Sequence, residues 1–485
     1  MRPQRRSEHL VYLSLMLVGL LLGITLVIGL FVRIEPIFVL PTVLLVFAGV
    51  AILATSTEVV LVSLGLVLAT LNADLPLYAS HSGEVAVWIF DAPILAAVLL
   101  LAYRAGPVRL GWPRYVAGGL LAIAIWSLVV ALLGAPLSPV SAVAFALDQW
   151  RYVLFFVFGA LAVHRFDLDH LLSVICLTVA AHVFIALLQI YRNASFGLST
   201  MGDLPKRYGL APIDVGPLVL GTGIYPGGLM GSSRVLLGAT ILLIPVAYVY
   251  LWRDPVWRRV AAATVLFGAV ALTAVSFSNT AQVVIPMVTI LFLVSLTYTY
   301  NNDRFAIPTK VIVSGGLLSL AVALLMLGYL ISYGRIGFNN VVVRGEMYMA
   351  AIRVLHRNPF LGVGGYNFEL LSLELGGKTS MPVHSTPLAY FVELGFLGGF
   401  LFLTTLLTVY VAGTREVLNR RGPDEILVAL FTGLAGFQAY SLVTLMYNRP
   451  WLISVFWISA GVLIGWSDQS NGESAEVQRA PAANR

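Results

Sequence analysis

The chain has 485 residues, of which 59% are hydrophobic and only 11% charged. A soluble domain carries about a quarter charged residues, so this composition excludes a soluble globular protein and points to one that crosses a membrane many times. The formal charge of +6 is scattered over short connecting segments, which excludes a nucleic-acid surface. A single cysteine, Cys176, inside an apolar run, excludes an intrachain disulfide and a cysteine-based metal site.

The chain opens on MRPQRRSEHL, and the apolar run that follows, 10–31, is long enough to span a bilayer. No small-residue cleavage site follows it, so a retained first helix is expected rather than a removed signal. Further apolar runs fall at 36–54, 58–72, 90–104, 114–134, 141–163, 170–191, 233–252, 258–277, 280–300, 308–332, 386–412, 425–446 and 450–466. Runs 58–72 and 90–104 are the shortest and suit interfacial or broken helices. The expected fold is therefore all-α: a polytopic transmembrane helical bundle of about 12–14 spans. It forms one integral-membrane domain, 1–466, interrupted by two long loops at 192–232 and 333–385. The polar tail 467–485 is expected to be disordered.

With the N-terminus in the cytoplasm, the inner turns collect Arg104, Arg109, Arg114, Arg165, Arg253, Arg258, Arg259, Arg304, Lys310, Arg415, Arg420 and Arg421. The outer turns near 72–90 and 135–140 hold no Lys or Arg. Both termini are then cytoplasmic and both long loops extracytoplasmic. Those loops are more basic than outer loops should be, which suggests that their arginines serve a ligand. The stretches GSSRVLLGATILLIP and SFSNTAQVVIPMVT begin small and polar and mark helix starts near the site.

The second loop concentrates the polar chemistry of the chain: Arg335, Arg344, Arg353, Arg357, a Gly-rich turn and His384. Residues 344–357 pattern as an amphipathic helix, with Met347, Ala351, Ile352 and Leu355 on one stripe and Glu346, Arg353, His356 and Arg357 opposite. Too short and charged to span, it is expected to lie at the interface. Asn358-Pro359 ends it, and the GVGG that follows offers backbone N–H groups to an anion. After His384, Thr386 suits an N-cap and Pro387 a first helical residue. A helix N-terminus and neighbouring arginines favour a nearby anion and disfavour imidazolium, leaving the neutral histidine that a general base requires. Arginines can neutralise a diphosphate leaving group. The combination suits a lipid diphosphate whose sugar carbon is attacked by an acceptor hydroxyl deprotonated by His384.

Three features carry a family resemblance: Arg353 followed by ten residues and Gly364, the stretch NPFLGVGGYNF, and His384-Ser385 followed by nine residues and Gly395, with Glu393 inside it. Over about 344–402 the chain resembles the superfamily of O-antigen ligases and O-antigen or exopolysaccharide polymerases, which also contains bacterial protein O-oligosaccharyltransferases. The resemblance implies transfer of a glycan from undecaprenyl diphosphate outside the cytoplasm, without metal or cofactor, in the cytoplasmic (inner) membrane. It implies His384 as base and Arg344 and Arg353 as diphosphate ligands, with Arg357 beside them. Glu393 either joins the chemistry, complements its helix dipole or pairs with an arginine. In the first loop Lys206, Arg207 and Arg234 are diphosphate candidates by location. The chain departs from many relatives in having Ser278-Asn279-Thr280 in place of Ser-Arg-Gly, and Ser385 in place of Asn after the histidine. The implied partners are a polyprenyl-diphosphate-linked oligosaccharide donor, a glycan or lipid-linked acceptor, the bilayer, and a chain-length regulator. Polymerase and ligase share the donor side; the generous span count leans toward polymerase.

Other motifs weigh less. Asp167-Leu168-Asp169 matches a metal-binding DxD triplet, but it falls in an inner turn where Asp169 suits a helix start. Asn193-Ala194-Ser195 fits a glycosylation acceptor by chance. His182 and Gln189 suit helix–helix hydrogen bonding, and Tyr366 and Tyr390 an interfacial aromatic belt. The competing function is a transporter of a small anion or a lipid-linked sugar. Such a protein carries ionisable groups near mid-bilayer, where this sequence is expected to have almost none.

Overall fold

In a computed structural model the chain is described over residues 57–71, 74–80, 83–88, 90–105, 111–192, 194, 196, 206–215, 218–253, 255–276, 278–300, 338–372, 382–419, 424–444, 446 and 449–479. The expected spans 10–31, 36–54 and 308–332, together with Arg335 and Asn193, lie outside the described residues. The helices are α1 (Thr57–Leu68), α2 (Asp91–Ala105), α3 (Trp112–Leu133), α4 (Pro139–Ala162), α5 (Leu168–Arg192), α6 (Ser233–Tyr250), α7 (Val256–Ser276) and α8 (Asn279–Tyr300). They continue with α9 (Phe338–Arg357), the single turn α10 (Phe368–Leu371), α11 (Thr386–Asn419), α12 (Glu425–Ser441) and α13 (Pro450–Arg479). Among the described residues seven helices are long and apolar enough to cross a membrane, namely α3 to α8 and α11, and α12 and the first half of α13 are shorter apolar helices. The chain is a polytopic helical membrane protein, as its composition requires.

Two antiparallel hairpins add to the expected all-helical pattern: β1 (Asp74–Ser80) with β2 (Gly83–Trp88), and β3 (Lys206–Val215) with β4 (Leu218–Tyr225). The second occupies the first long loop. Strands rich in Val, Ile, Leu and Tyr can pair locally where no helix period competes. The polar tail also departs from expectation, because α13 runs unbroken to Arg479. A helix already nucleated in a packed span gains one hydrogen bond for each further residue it fixes, and Glu, Ala and Gln extend it at low cost.

Packing centres on two groups. Helix α4 lies against α13 and α3, and α6 against α7 and α12. The α4–α13 crossing is close: a Cβ on Gly159 would stand 2.2 Å from the Ile458 carbonyl oxygen, and one on Gly461 2.2 Å from that of Phe156. Small residues let two backbones approach in a lipid environment, where dispersion rather than dehydration drives helix association. Helix α6 is nearly enclosed, with Leu236, Leu237, Ile241, Leu242, Leu243 and Ile244 all buried.

Following the chain, α3 ends and α4 begins at one face of the bundle. That face also collects the ends of α5, α7 and α12, the starts of α6, α8, α11 and α13, and both hairpins. It is called the loop face below. At the opposite face Arg253 bonds Asp169 at 3.2 Å and Asp424 at 3.1 Å, and Arg258 also pairs with Asp169. The DxD carboxylate is therefore engaged by two arginines that tie the starts of α5, α7 and α12 together.

The middle of the bundle is less uncharged than the sequence suggests. Asp148 and Arg151, both in α4, form a buried pair, and Arg151 Nε also bonds Asp91 Oδ1 at 3.0 Å. Tyr366 donates its hydroxyl to Asp148 Oδ2 at 2.7 Å, and the Trp88 amide donates to Asp91 Oδ2 at 2.9 Å. This chain of contacts runs from hairpin β1–β2 through α4 to the second loop. Hydrogen-bonded at both ends, it braces the structure. Asp148→Ala leaves Arg151 paired with Asp91 but takes a partner from both Arg151 and the Tyr366 hydroxyl, so it is expected to lower unfolding stability by about 1–3 kcal/mol. Thermal unfolding in detergent would show it, and an unchanged midpoint would mean that the pair bears no load.

Candidate active site at the loop face

The second loop is built around a break in α11. Gly395 has φ 69° and ψ −175°, so α11 is two helices, Thr386–Leu394 and a longer membrane-crossing one, meeting at a glycine. A break leaves carbonyls and amides without partners, and each needs one inside a membrane protein. The NPFLGVGGYNF stretch and α3 supply them. Val363 N donates to the Val392 carbonyl at 3.1 Å and Gly364 N to that of Glu393 at 2.9 Å, while Phe396 N donates to the Pro359 carbonyl at 2.7 Å. Trp126 Nε1 donates to the Leu394 carbonyl at 2.9 Å.

Two expectations change as a result. The GVGG amides of Val363 and Gly364 are bonded to the break, and that of Gly362 to the Asn358 carbonyl at 3.0 Å, so this turn is a plug and not an anion cradle. Glu393, 1% exposed, accepts the Tyr366 amide on Oε2 at 2.9 Å. Its carboxylate fixes the plug and does not face the loop surface. Tyr366 and Tyr390 are not belt aromatics either. Tyr366 joins the braced network, and Tyr390 is buried, stacked on Phe402 and bonded to Gln149 at 2.8 Å.

Helix α9 begins before the expected 344 and ends at Arg357 as read. Its buried stripe is Met347, Ala350, Ala351 and Val354, packed against α11, whereas Ile352 is 53% exposed. One turn advances 3.6 residues, so Arg344 and Tyr348 share a flank of that stripe, while Arg353, nine residues from Arg344, emerges on the opposite side with Arg357. The Arg344 flank faces His384: the Tyr348 hydroxyl donates to the His384 carbonyl at 3.4 Å.

His384 is half-buried, two residues before the first residue of α11. The cap differs by one position from expectation. The Ser385 carbonyl accepts the Ala389 amide at 3.0 Å, and the Thr386 hydroxyl instead accepts the Met446 amide at 3.1 Å. Histidine Nδ1 lies 3.1 Å from the Pro382 carbonyl oxygen. A carbonyl can only accept, so Nδ1 carries the proton and Nε2 presents a lone pair. Burial lowers the pKa of His384 below the ordinary value, the positive charges of Arg344 and Arg234 lower it further, and the Pro382 contact opposes them.

Arg234, from the first loop, thus reaches the same region as Arg344 from the second. It is the second residue of α6, exposed, and is placed by a turn that Gln189 holds. Gln189 Oε1 accepts the amides of Gly227 at 3.1 Å and Gly228 at 3.0 Å. His182 Nε2 meets the Thr70 hydroxyl at 2.8 Å, so both residues hydrogen-bond turns at helix ends and not other helices. Arg207 stands on β3 opposite Ile224, next to Lys206.

The site also includes residues the sequence did not single out. Arg344 Nη1 donates to the Val443 carbonyl at 3.3 Å, in the turn after α12, and the buried Tyr440 hydroxyl donates to the Arg234 carbonyl at 3.3 Å. Tyr348 was findable as the residue four after Arg344. Tyr440 and the turn 442–446 were not, because they sit within an apolar run that reads as a span.

Residues 265–403 match a family model described as O-antigen ligase. This segment is similar to the O-antigen ligase family. It takes in most of α7, all of α8 and α9, the plug and the first half of α11, so His384, Arg344, Arg353, Arg357 and Glu393 lie inside it, and Arg207, Arg234 and Tyr440 outside. No curated protein matches the chain. The match, on a polytopic helical frame, supports a role in glycosyl processing at a membrane, of ligase or polymerase type.

Proposed function

We propose that the protein is an extracytoplasmic glycosyltransferase that moves a glycan from a polyprenyl diphosphate to an acceptor hydroxyl. The observation that carries this reading is the meeting of His384, with an acceptor lone pair on Nε2, and two arginines from different loops at one membrane face. His384 Nε2 takes the proton of the acceptor hydroxyl as its oxygen bonds the sugar carbon. The bond from that carbon to the diphosphate oxygen breaks, and the lipid diphosphate leaves with the electron pair. Arg234 and Arg344 offset its charge, the task a bound cation performs elsewhere.

The loop face is assigned to the outside because the opposite face gathers Arg104, Arg165, Arg253, Arg258, Arg259 and Arg415. One integral domain, a cytoplasmic-membrane location and an undecaprenyl carrier are part of the same proposal. Among the acidic candidates, Glu393 becomes a positioning residue, since its carboxylate serves the plug. The transporter alternative is not favoured, because the charged groups inside the bundle, Asp148, Arg151 and Asp91, are paired with each other.

The two arginine faces of α9 make a discriminating test. Arg344→Ala is expected to raise the donor KM about tenfold or more, with Arg344→Lys recovering only part because a forked contact is lost. Arg353→Ala, on the opposite face, is expected to change it by less than about threefold. Equal effects from both would overturn the assignment. The assay is purified protein in proteoliposomes with a polyprenyl-diphosphate oligosaccharide. A ladder of products identifies a polymerase, and one product that requires an added acceptor identifies a ligase.

A further inference from the structure

We infer that Tyr440 is a positioning residue that fixes both diphosphate-binding arginines relative to His384. The inference rests on the proposed function for its reaction but on separate contacts for its geometry. Tyr440 is fully buried one residue before the end of α12. Its hydroxyl donates to the Arg234 carbonyl at 3.3 Å, which ties the end of α12 to the first turn of α6. The Val443 amide lies 3.4 Å from the Tyr440 carbonyl, so the turn after α12 starts from the same residue.

That turn is the second half of the argument. Its Val443 carbonyl accepts Arg344 Nη1, its Met446 amide donates to Thr386, and its Thr444 carbonyl lies 3.5 Å from the Thr386 hydroxyl. Thr386 follows His384 by two residues. The turn therefore touches Arg344 and the carrier of the histidine directly, and reaches Arg234 through the Tyr440 hydroxyl. A phenylalanine would keep the ring and leave the Arg234 carbonyl without this donor, free to seek another contact. The backbone of Arg234 would be the first to move, since it lies in the first turn of its helix.

This makes a prediction that general destabilisation does not. With the arginines displaced, less positive charge acts on His384. The imidazole then regains a proton more readily, so the acid limb of the rate profile moves to higher pH. In proteoliposomes with polyprenyl-diphosphate oligosaccharide, Tyr440→Phe is expected to raise the donor KM about three- to tenfold and shift the acid limb upward. Tyr410→Phe is the control. It removes a hydroxyl that also bonds α12, at the Leu434 carbonyl 3.0 Å away, but remote from the site, and it should change neither quantity. Thr386→Val, which keeps the tyrosine and frees the Met446 amide of the same turn, carries the same expectation at smaller amplitude if Tyr440→Phe does not fold. A wild-type profile and KM in Tyr440→Phe or Thr386→Val, or an equal shift in Tyr410→Phe, would overturn the inference. Transfer surviving in His384→Ala would instead overturn the proposed reaction and leave the contacts standing.

Discussion

Replacing His384 with alanine is expected to reduce glycan transfer by at least about a hundredfold, the scale of a lost general base, while donor binding changes little. The two effects separate because the arginines proposed to hold the diphosphate, Arg234 and Arg344, do not depend on the imidazole. Nδ1 is held by the Pro382 carbonyl, so no other nitrogen of this ring can take the proton. The wild-type pH profile follows from the same environment. Burial, Arg344 and Arg234 hold the histidine below its ordinary value of 6.5. The active form is neutral, so activity is present above the lowered pKa and lost as pH falls through it; the acid limb lies below pH 6.5. A limb above that value, or near-normal turnover in the alanine variant, would remove His384 from the chemistry.

The other large effect is expected at Gly395. Its φ of 69° and ψ of −175° lie in a region that only glycine populates readily, and a Cβ there would stand 2.1 Å from the Phe360 carbonyl oxygen. Strain and collision act together and neither can relax without withdrawing the plug from the break. Gly395→Ala is expected to cost about 3 kcal/mol or more and to abolish transfer by releasing the half-helix that carries His384. Gly118→Ala in α3, where nothing lies within 4 Å of an added Cβ, should be neutral or slightly stabilising. Thermal unfolding of both variants in detergent gives the comparison. Equal midpoints would mean that the break is not under this constraint.

Much of this was legible in the chain because lipid and the helix impose simple periods. The spans from α3 to α8 lie within a few residues of their apolar runs, since a bilayer fixes length and a helix must satisfy its own backbone. The end of α9 at Arg357 was signalled by Asn358-Pro359. What escaped were matters of depth and direction. Arg344 and Arg353 look equivalent in a list of arginines and emerge on opposite sides of a helix. The glycines of the GVGG turn fit a phosphate cradle as well as a plug, and only the partners of Val363 and Gly364 decide between them. Asp148 and Arg151 were passed over because two charges do not spoil the hydropathy of a long window, although their pairing with Asp91 braces the loop. Tyr440 carries no signal at all, being one aromatic in an apolar run, and acquires meaning only when its hydroxyl meets the Arg234 carbonyl, more than two hundred residues away in the chain.

The break at Gly395 also bears on how the protein meets bilayers of different thickness. Unbroken, α11 with its 34 residues would be about 50 Å long, well beyond a hydrocarbon core of about 30 Å. Such a rod answers a thinner or thicker membrane by tilting along its whole length, and a histidine at its tip would swing through the largest arc. Divided at the glycine, only the portion from Phe396 onward has to match the lipid. The portion from Thr386 to Leu394 is moored to α3 through Trp126 and to the turn after α12 through Thr386. Hydrophobic mismatch is absorbed below the joint, and the reacting groups keep their register with the arginines above it.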